Sequence, residues 1–342
     1  MKYIICLGEI LIDVIPSMGI RLGEACYSPH PGGAIANVAV AIARLGGSSR
    51  FIGAVSDDEF GRLLVQVLAD NHVDTQYVRV VKGAPTAIAL VTLHADGQRH
   101  FTFFRQGTAD SQLQAEDLNW SAWHDAAICH VGGVLLSVEP ARSATLAAMD
   151  HTRRIGSIVS FDVNVRPALW ASRTDIRDTI VKAVERADIL KLSADEAEFI
   201  GEQSSSPSEP LEKSWLNTLG EALLERGPRL VIITLGANGA LLLTARYRVE
   251  VPPLPVRPVD TTGAGDAFMG AVLYTLVQQG CNTPSDLLSL SEHDLSNLGS
   301  FANQVAGFST TRYGGISSFP FMHELNGFST SQEGFQGPPD AI

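Results

Sequence analysis

Tyr3-Ile4-Ile5-Cys6-Leu7-Gly8 is a nearly unbroken apolar run that ends in glycine. Such a run suits a strand buried on both faces of a parallel sheet. Moving outward, Pro29 to Gly33 reads as a turn, and Ala34 to Leu45 as a buried helix closed by Gly46-Gly47. Arg50 to Val55 reads as a second strand. Glu59 to Asn71 reads as an amphipathic helix carrying Phe60, Leu63, Leu64, Val67 and Leu68. Strand, helix, strand, helix predicts an α/β fold, with helices flanking a mostly parallel sheet.

Thr86 to Phe104 breaks this rhythm. Two β-rich runs, Ile88 to Leu93 and Arg99 to Phe104, flank Ala95-Asp96-Gly97, and Asp-Gly between such runs signals a hairpin. The expectation is a small appended sheet, to which Ile15 to Tyr27 adds strands. The alternation then resumes, with short buried strands expected at Ala127 to Val131, Ser157 to Asp162, Ile189 to Leu192 and Leu230 to Leu235. Helical patterns cover Glu139 to Arg154 and Thr174 to Arg186, and Gln203 to Pro210 reads as a loop. One domain is expected over residues 1–325. The Gly-, Ser-, Gln- and Pro-rich segment 326–342 has no periodicity and is expected to be a disordered tail.

The composition narrows the function. Of 342 residues, 25 are basic and 37 acidic, a formal charge of −12, which disfavours nucleic acid or an anionic membrane as general partner. An anionic ligand would need a local site of backbone amides and a few placed cations. The four cysteines form no C-x-x-C pair and no zinc spacing, so scattered thiols in a reducing compartment are expected. No apolar stretch reaches the length of about 18 residues that spans a bilayer. A cytoplasmic location is the expectation.

Asp260-Thr261-Thr262-Gly263-Ala264-Gly265-Asp266 precedes Ala267 to Val277, a run that is apolar all round and reads as a buried helix. The Gly/Ala turn leaves the amides at the helix N-terminus uncovered, so Gly263, Ala264 and Gly265 can bind an anion through backbone N–H groups and the helix dipole. That arrangement suits the charge that builds up during phosphoryl transfer. Asp266 is ill suited as a phosphate ligand, and makes sense as the base for an incoming hydroxyl. The sequence holds no G-x-x-x-x-G-K-[ST] loop and neither D-F-G nor H-R-D.

This signature resembles that of the ribokinase-like (PfkB) carbohydrate kinases. The family's N-terminal Gly-Gly signature is matched by Pro31-Gly32-Gly33-Ala34-Ile35-Ala36-Asn37, and its second strand by Gly53, Asp57 and Gly61. The resemblance runs from about Lys2 to Pro320 and, within the family, is strongest to bacterial fructokinases. It implies a three-layer α/β/α domain with a β-sheet lid at about residues 14–31 and 84–107, and pairing of two lids into a homodimer.

For the sugar, the resemblance implies Asp13, which follows the first strand, where open α/β sheets bind ligands. Gly32 and Gly33 allow close backbone approach, and Asn37 supplies donors and acceptors. Phe101, Phe103 and Arg105 alternate along one strand and share a face able to close over a sugar. Phe161-Asp162-Val163-Asn164-Val165-Arg166-Pro167 resembles the family's Asp-x-Asn-x-Arg segment, although Val163 stands where many members have proline. It implies Asn164 and Arg166 in the cleft.

For the nucleotide, Ser193 stands where the wider family often has Asn, and Glu196 matches the residue that organises Mg²⁺ through water. The same two residues also fit a helix capping box. Thr234, Gly236 and Gly239 resemble the turn near the ATP phosphates, and Asn303 an adenine-pocket position. Asp260, Thr262 and the loop carrying Ser309, Arg312, Gly314 and Ser318 resemble a monovalent cation site, implying K⁺. The implied activity is ATP-dependent phosphorylation of D-fructose at its 6-hydroxyl. Ribose, 2-keto-3-deoxygluconate and a purine-precursor riboside are alternative acceptors, and a catalytically silent sugar- or nucleotide-binding regulator is an alternative of another class.

Overall fold

The computed structural model describes residues 2–16, 26–93, 99–200 and 213–328. Its strands are β1 (Tyr3–Leu7), β2 (Leu11–Pro16), β3 (Tyr27–Gly32), β4 (Ser49–Ile52), β5 (Ala54–Ser56), β6 (Arg79–Val81), β7 (Ile88–Leu93), β8 (Arg99–Phe104), β9 (Ala126–Gly132), β10 (Ile158–Asp162), β11 (Ile189–Ser193), β12 (Leu230–Thr234), β13 (Ala240–Leu243) and β14 (Arg248–Val251). The helices are α1 (Ala34–Arg44), α2 (Glu59–Asp70), α3 (Ala141–Arg154), α4 (Arg173–Val184), α5 (Ala194–Ile200), α6 (Lys213–Leu224), α7 (Ala264–Gln278), α8 (Pro284–Leu287), α9 (Glu292–Thr310) and α10 (Met322–Leu325).

The main sheet has the order β14-β13-β12-β11-β10-β9-β1-β4. From β4 to β12 every pairing is parallel, and β13 and β14 close the far edge as antiparallel strands. Alternate residues of β1 show why its sequence is apolar throughout. Ile4 and Cys6 enter a core built with α1, α7 and α9, whereas Ile5 and Leu7 enter a second core with α3, α4 and α6. Both faces are covered, giving the three-layer α/β/α domain.

A second sheet, in the order β3-β2-β7-β8, forms the lid. Leu11, Ala87 and Ala89 make its small core, with Phe101 and Phe103 packed against them. Three sequence expectations change here. Pro29 to Gly33 is mainly the edge strand β3 rather than a turn. Its prolines are tolerated because β3 pairs only with β2. Asp13 does not merely follow β1; it lies within the lid strand β2, which begins at Leu11. The expected strand Arg50 to Val55 breaks at Gly53, and β5 leaves the main sheet to pair with β6. The Ala95-Asp96-Gly97 turn and the Gln203 to Pro210 loop lie outside the described residues, although β7 and β8 pair antiparallel as a hairpin requires. Among the described residues no helix is long and apolar enough to cross a membrane.

Candidate active site

A cleft of about 290 Å³ lies between the lid and the C-terminal ends of the main-sheet strands. The lid contributes Leu11, Asp13, Phe101 and Phe103. Helix α1 and the residue before it contribute Gly33, Ala34 and Asn37, the segment after β10 contributes Asn164 and Arg166, and the turn before α7 contributes Thr261, Thr262 and Gly263, with Asp266 following. Residues spread over 250 positions of sequence thus meet around a space suited to one small ligand.

Asp266 sits in the first turn of α7, whose N-cap is Gly263 in the left-handed conformation (φ 75°). Its Oδ2 accepts a hydrogen bond of 2.7 Å from Nδ2 of Asn37, in the first turn of α1. The N-termini of the two helices therefore converge on one carboxylate. Burial pushes Asp266 up to about 6; the Asn37 bond opposes this, Asp162 adds to it, and the cations Lys191 and Arg166 oppose it. A carboxylate in that range is ionised at neutral pH and still basic enough to take a proton.

Beneath the turn lies a charged pair that sequence reasoning missed. Nζ of Lys191 stands 2.9 and 3.1 Å from the two oxygens of Asp162, both side chains being buried. A Cβ at Gly265 would come within 3.3 Å of that ammonium. Burial works against the charge on Lys191, yet Asp162, Glu196 and Asp266 hold its pKa above the ordinary value. The available signal was a lone lysine inside the apolar strand Ile189-Leu190-Lys191-Leu192.

Glu9 is the second omission. It lines the cleft at 1% exposure, and its Oε1 accepts from the N–H of Ala34 at 2.8 Å. Burial, opposed by hydrogen bonding and by Arg105, pushes it up to about 7. It follows Gly8 in the β1–β2 connection, where an acidic residue looks like ordinary solvated loop.

Other expected residues are placed as follows. Asn164 adopts a positive φ of 32°, a left-handed geometry that asparagine tolerates better than most residues. Arg105 departs from expectation. It lies just beyond β8 and outside the cleft lining, its Nε bonded to Asp110 at 2.6 Å and its Nη1 to the Val134 carbonyl and Ser137 hydroxyl. Strand alternation predicted a shared face, but the strand ends at Phe104 and the chain turns Arg105 into the protein. Gly32 is also outside the lining, yet a Cβ there would stand 2.0 Å from Oδ2 of Asp13, so it makes room for that carboxylate.

Glu196 and Ser193 form the capping box, with Ser193 N–H donating to Oε2 of Glu196 at 2.8 Å. Oε1 accepts from Val165 N–H, also at 2.8 Å. Both carboxylate oxygens are thus committed to amides, and no group of three acidic, His or Cys residues arranged to hold a metal occurs among the described residues. Thr234, Gly236 and Gly239 form the β12–β13 hairpin connection, closed by Leu235 N–H to Gly239 O at 2.8 Å. Asn303 uses its amide nitrogen to hold the carbonyls of Val251 and Pro252, leaving only its oxygen for another partner.

Asp260, Thr262 and Gly314 do come together. The Asp260 carboxylate accepts from the N–H groups of Thr262 (2.8 Å) and Gly314 (3.0 Å), tying the anion turn to the loop after α9. The hydroxyls of Ser309 and Ser318 bond to the carbonyls of Ala306 and Gly315. Arg312 turns outward to Glu324 and packs over the Phe308 ring, away from any cation-binding role for its side chain.

The model of the pfkB family carbohydrate kinases matches residues 1–322. This chain belongs to that family. Among its relatives, fructokinase-1 of Zea mays is 41% identical over 95% of this chain and 96% of its own length. Among solved structures, fructokinase from Xylella fastidiosa with bound ATP superposes with a TM-score of 0.87 at 30% identity, covering 97% of this chain and 99% of that one. Fructokinase from Vibrio cholerae, a double mutant in a fructose-, ADP- and potassium-bound form, gives 0.82 at 34%, covering 96% and 98%. Aminoimidazole riboside kinase from Salmonella enterica gives 0.80 at 32%, covering 96% and 100%. As a PfkB kinase, the chain is an ATP-dependent phosphotransferase acting on a sugar hydroxyl.

Proposed function

We propose that this kinase is an ATP-dependent fructokinase that converts D-fructose to fructose 6-phosphate, with Asp266 as general base. The observation that carries this reading is the Asn37–Asp266 hydrogen bond. It holds a carboxylate of raised pKa in the cleft at the N-terminus of α7, where the glycines of the turn leave no bulky side chain in front of the helix end and the Ala264 N–H donates to the Thr261 carbonyl at 3.2 Å. Asp13, Gly33, Asn37, Asn164 and Arg166 bind the sugar, and Phe101 and Phe103 exclude water above it. Asp266 accepts the proton of the 6-hydroxyl as the oxygen bonds to the γ-phosphorus, and the bridging P–O bond to the β-phosphate breaks, its electron pair leaving with ADP. The amides at the start of α7 and the Arg166 guanidinium stabilise the charge on the transferred group. Mg²⁺ bound to ATP would neutralise phosphate charge, with Glu196 ordering its water. K⁺ held beside the Asp260–Gly314 brace would orient the anion turn.

The fructokinase relatives support fructose as acceptor, and the aminoimidazole riboside kinase similarity supports a riboside as the second reading. ADP release with MgATP and K⁺ is measured against fructose, ribose, 2-keto-3-deoxygluconate and a purine-precursor riboside, with Asp266→Asn as control. Turnover on fructose, lost in the variant, is expected. Turnover confined to the riboside overturns the substrate and retains the mechanism.

A further inference from the structure

Among the described residues, Glu9 presents a buried carboxylate only half used by the protein. Oε1 is fixed by the Ala34 N–H at the start of α1, whereas Oε2 is buried without a hydrogen-bond partner. The nearby cation Arg105 makes no hydrogen bond to it: its Nε goes to Asp110, its Nη1 to Val134 and Ser137, and its buried Nη2 is itself without a partner. A buried acceptor left unpaired is costly, and in native proteins such an atom calls for an explanation, often a water or a ligand.

Its position supplies the explanation. Glu9 lines the same cleft as Asp266, and the first turn of α1 links them: Ala34 N–H holds Glu9, and Asn37, three residues on, holds Asp266. The two anchors on α1 lie three residues apart, about 5 Å along the helix axis. A sugar whose reacting hydroxyl meets Asp266 thereby presents ring hydroxyls toward Glu9, while Leu11, Ala34 and Val134 form apolar walls beside it.

We infer that Glu9 is a specificity-determining residue for the sugar, its unpaired carboxylate oxygen hydrogen-bonding a sugar hydroxyl other than the one that reacts at Asp266. This rests on the kinase reading above. A site built around such a bond discriminates against analogues that lack the hydroxyl, since the carboxylate oxygen is then left buried and unpaired.

The test compares wild type and Glu9→Gln, assayed on fructose and on its 1-, 3- and 4-deoxy analogues, with the KM for ATP as internal control. In the wild type, one analogue should lose kcat/KM by about tenfold to a hundredfold. In Glu9→Gln, fructose itself should fall by a similar factor and the penalty for that one analogue should shrink, with the ATP KM unchanged. An identical pattern of analogue penalties in both proteins overturns the inference and leaves Glu9 a helix cap. If Glu9→Gln does not fold, Glu9→Asp, which retains the charge but withdraws the oxygen, is read by the same criterion. If wild type phosphorylates another sugar instead, the deoxy series of that sugar is used. The fructose reading then fails separately from the inference about Glu9.

Discussion

Asp266 carries the sharpest prediction at the scale of a residue. Asp266→Asn keeps the shape and the Asn37 contact but cannot take a proton, so kcat should fall by about 10²–10⁴ with little change in either KM. In the wild type the base must be ionised. With its pKa raised to about 6, kcat/KM should hold above that pH and fall about tenfold per unit below it. Stability moves the opposite way. A folded carboxylate with a raised pKa binds more protons than its unfolded counterpart between about pH 4 and 6, so it costs stability as pH rises through that window. Melting curves should show Asp266→Asn above wild type at pH 8, with the gap closing toward pH 4. Arg105 makes a contrasting case. Its buried pair with Asp110, 2.6 Å long, predicts that Arg105→Ala loses about 3–5 kcal/mol in denaturant unfolding by stranding Asp110. An Arg105→Ala protein of native stability with a raised sugar KM would restore the expected sugar role.

At the scale of elements, the junction of β3 with α1 shapes the cleft proposed for the sugar. Gly33 has φ 105°, and a Cβ there would press on the backbone of Glu9 and Ile10 at 2.7–2.9 Å, whereas at Gly32 the obstacle is the Asp13 carboxylate, a movable side chain. Gly32→Ala should therefore fold and displace Asp13, raising the sugar KM at least about tenfold while the ATP KM stays put. Equal sugar KM values in the two proteins would remove Asp13 from the sugar site. The helices α1 and α7, and the buried strands, were legible because apolar periodicity over many residues is a local signal. Strand β3 was not, since Tyr27-Ser28-Pro29-His30-Pro31-Gly32 has turn composition and becomes a strand only by pairing with β2. Lys191 and Glu9 were passed over for the same reason. Their significance lies in partners 29 and 25 positions away, Asp162 and Ala34.

At the scale of the molecule, the lid presents an open sheet edge. On the edge strand β8, Phe101 and Phe103 turn toward the cleft, and Phe104 is 58% exposed. An uncovered aromatic on an unpaired edge is a ready interface. We propose that two lids pair through this edge. Light scattering should give a dimer for the wild type and a monomer for Phe104→Glu; a wild-type monomer at micromolar concentration ends the proposal. The expected tail from residue 326 also needs a new boundary, because Phe328 packs edge-on against Phe308 with ring centroids 4.7 Å apart. Ending the chain after Phe328 should leave the melting temperature unchanged, and ending it after Asn326 should cost about 1 kcal/mol with turnover preserved.

By itself the sequence determined the layer architecture, and it picked out the Gly263 to Gly265 turn and Asp266 as the proposed anion site and base. Each of these is written in contiguous residues, where periodicity, glycine freedom and helix-end chemistry act locally. Only the tertiary structure decided that Asn37 meets Asp266 across 229 positions, that Arg105 turns away from the cleft and that Glu9 turns into it. Burial and charge partnership depend on which distant segments come together, and no local pattern encodes that.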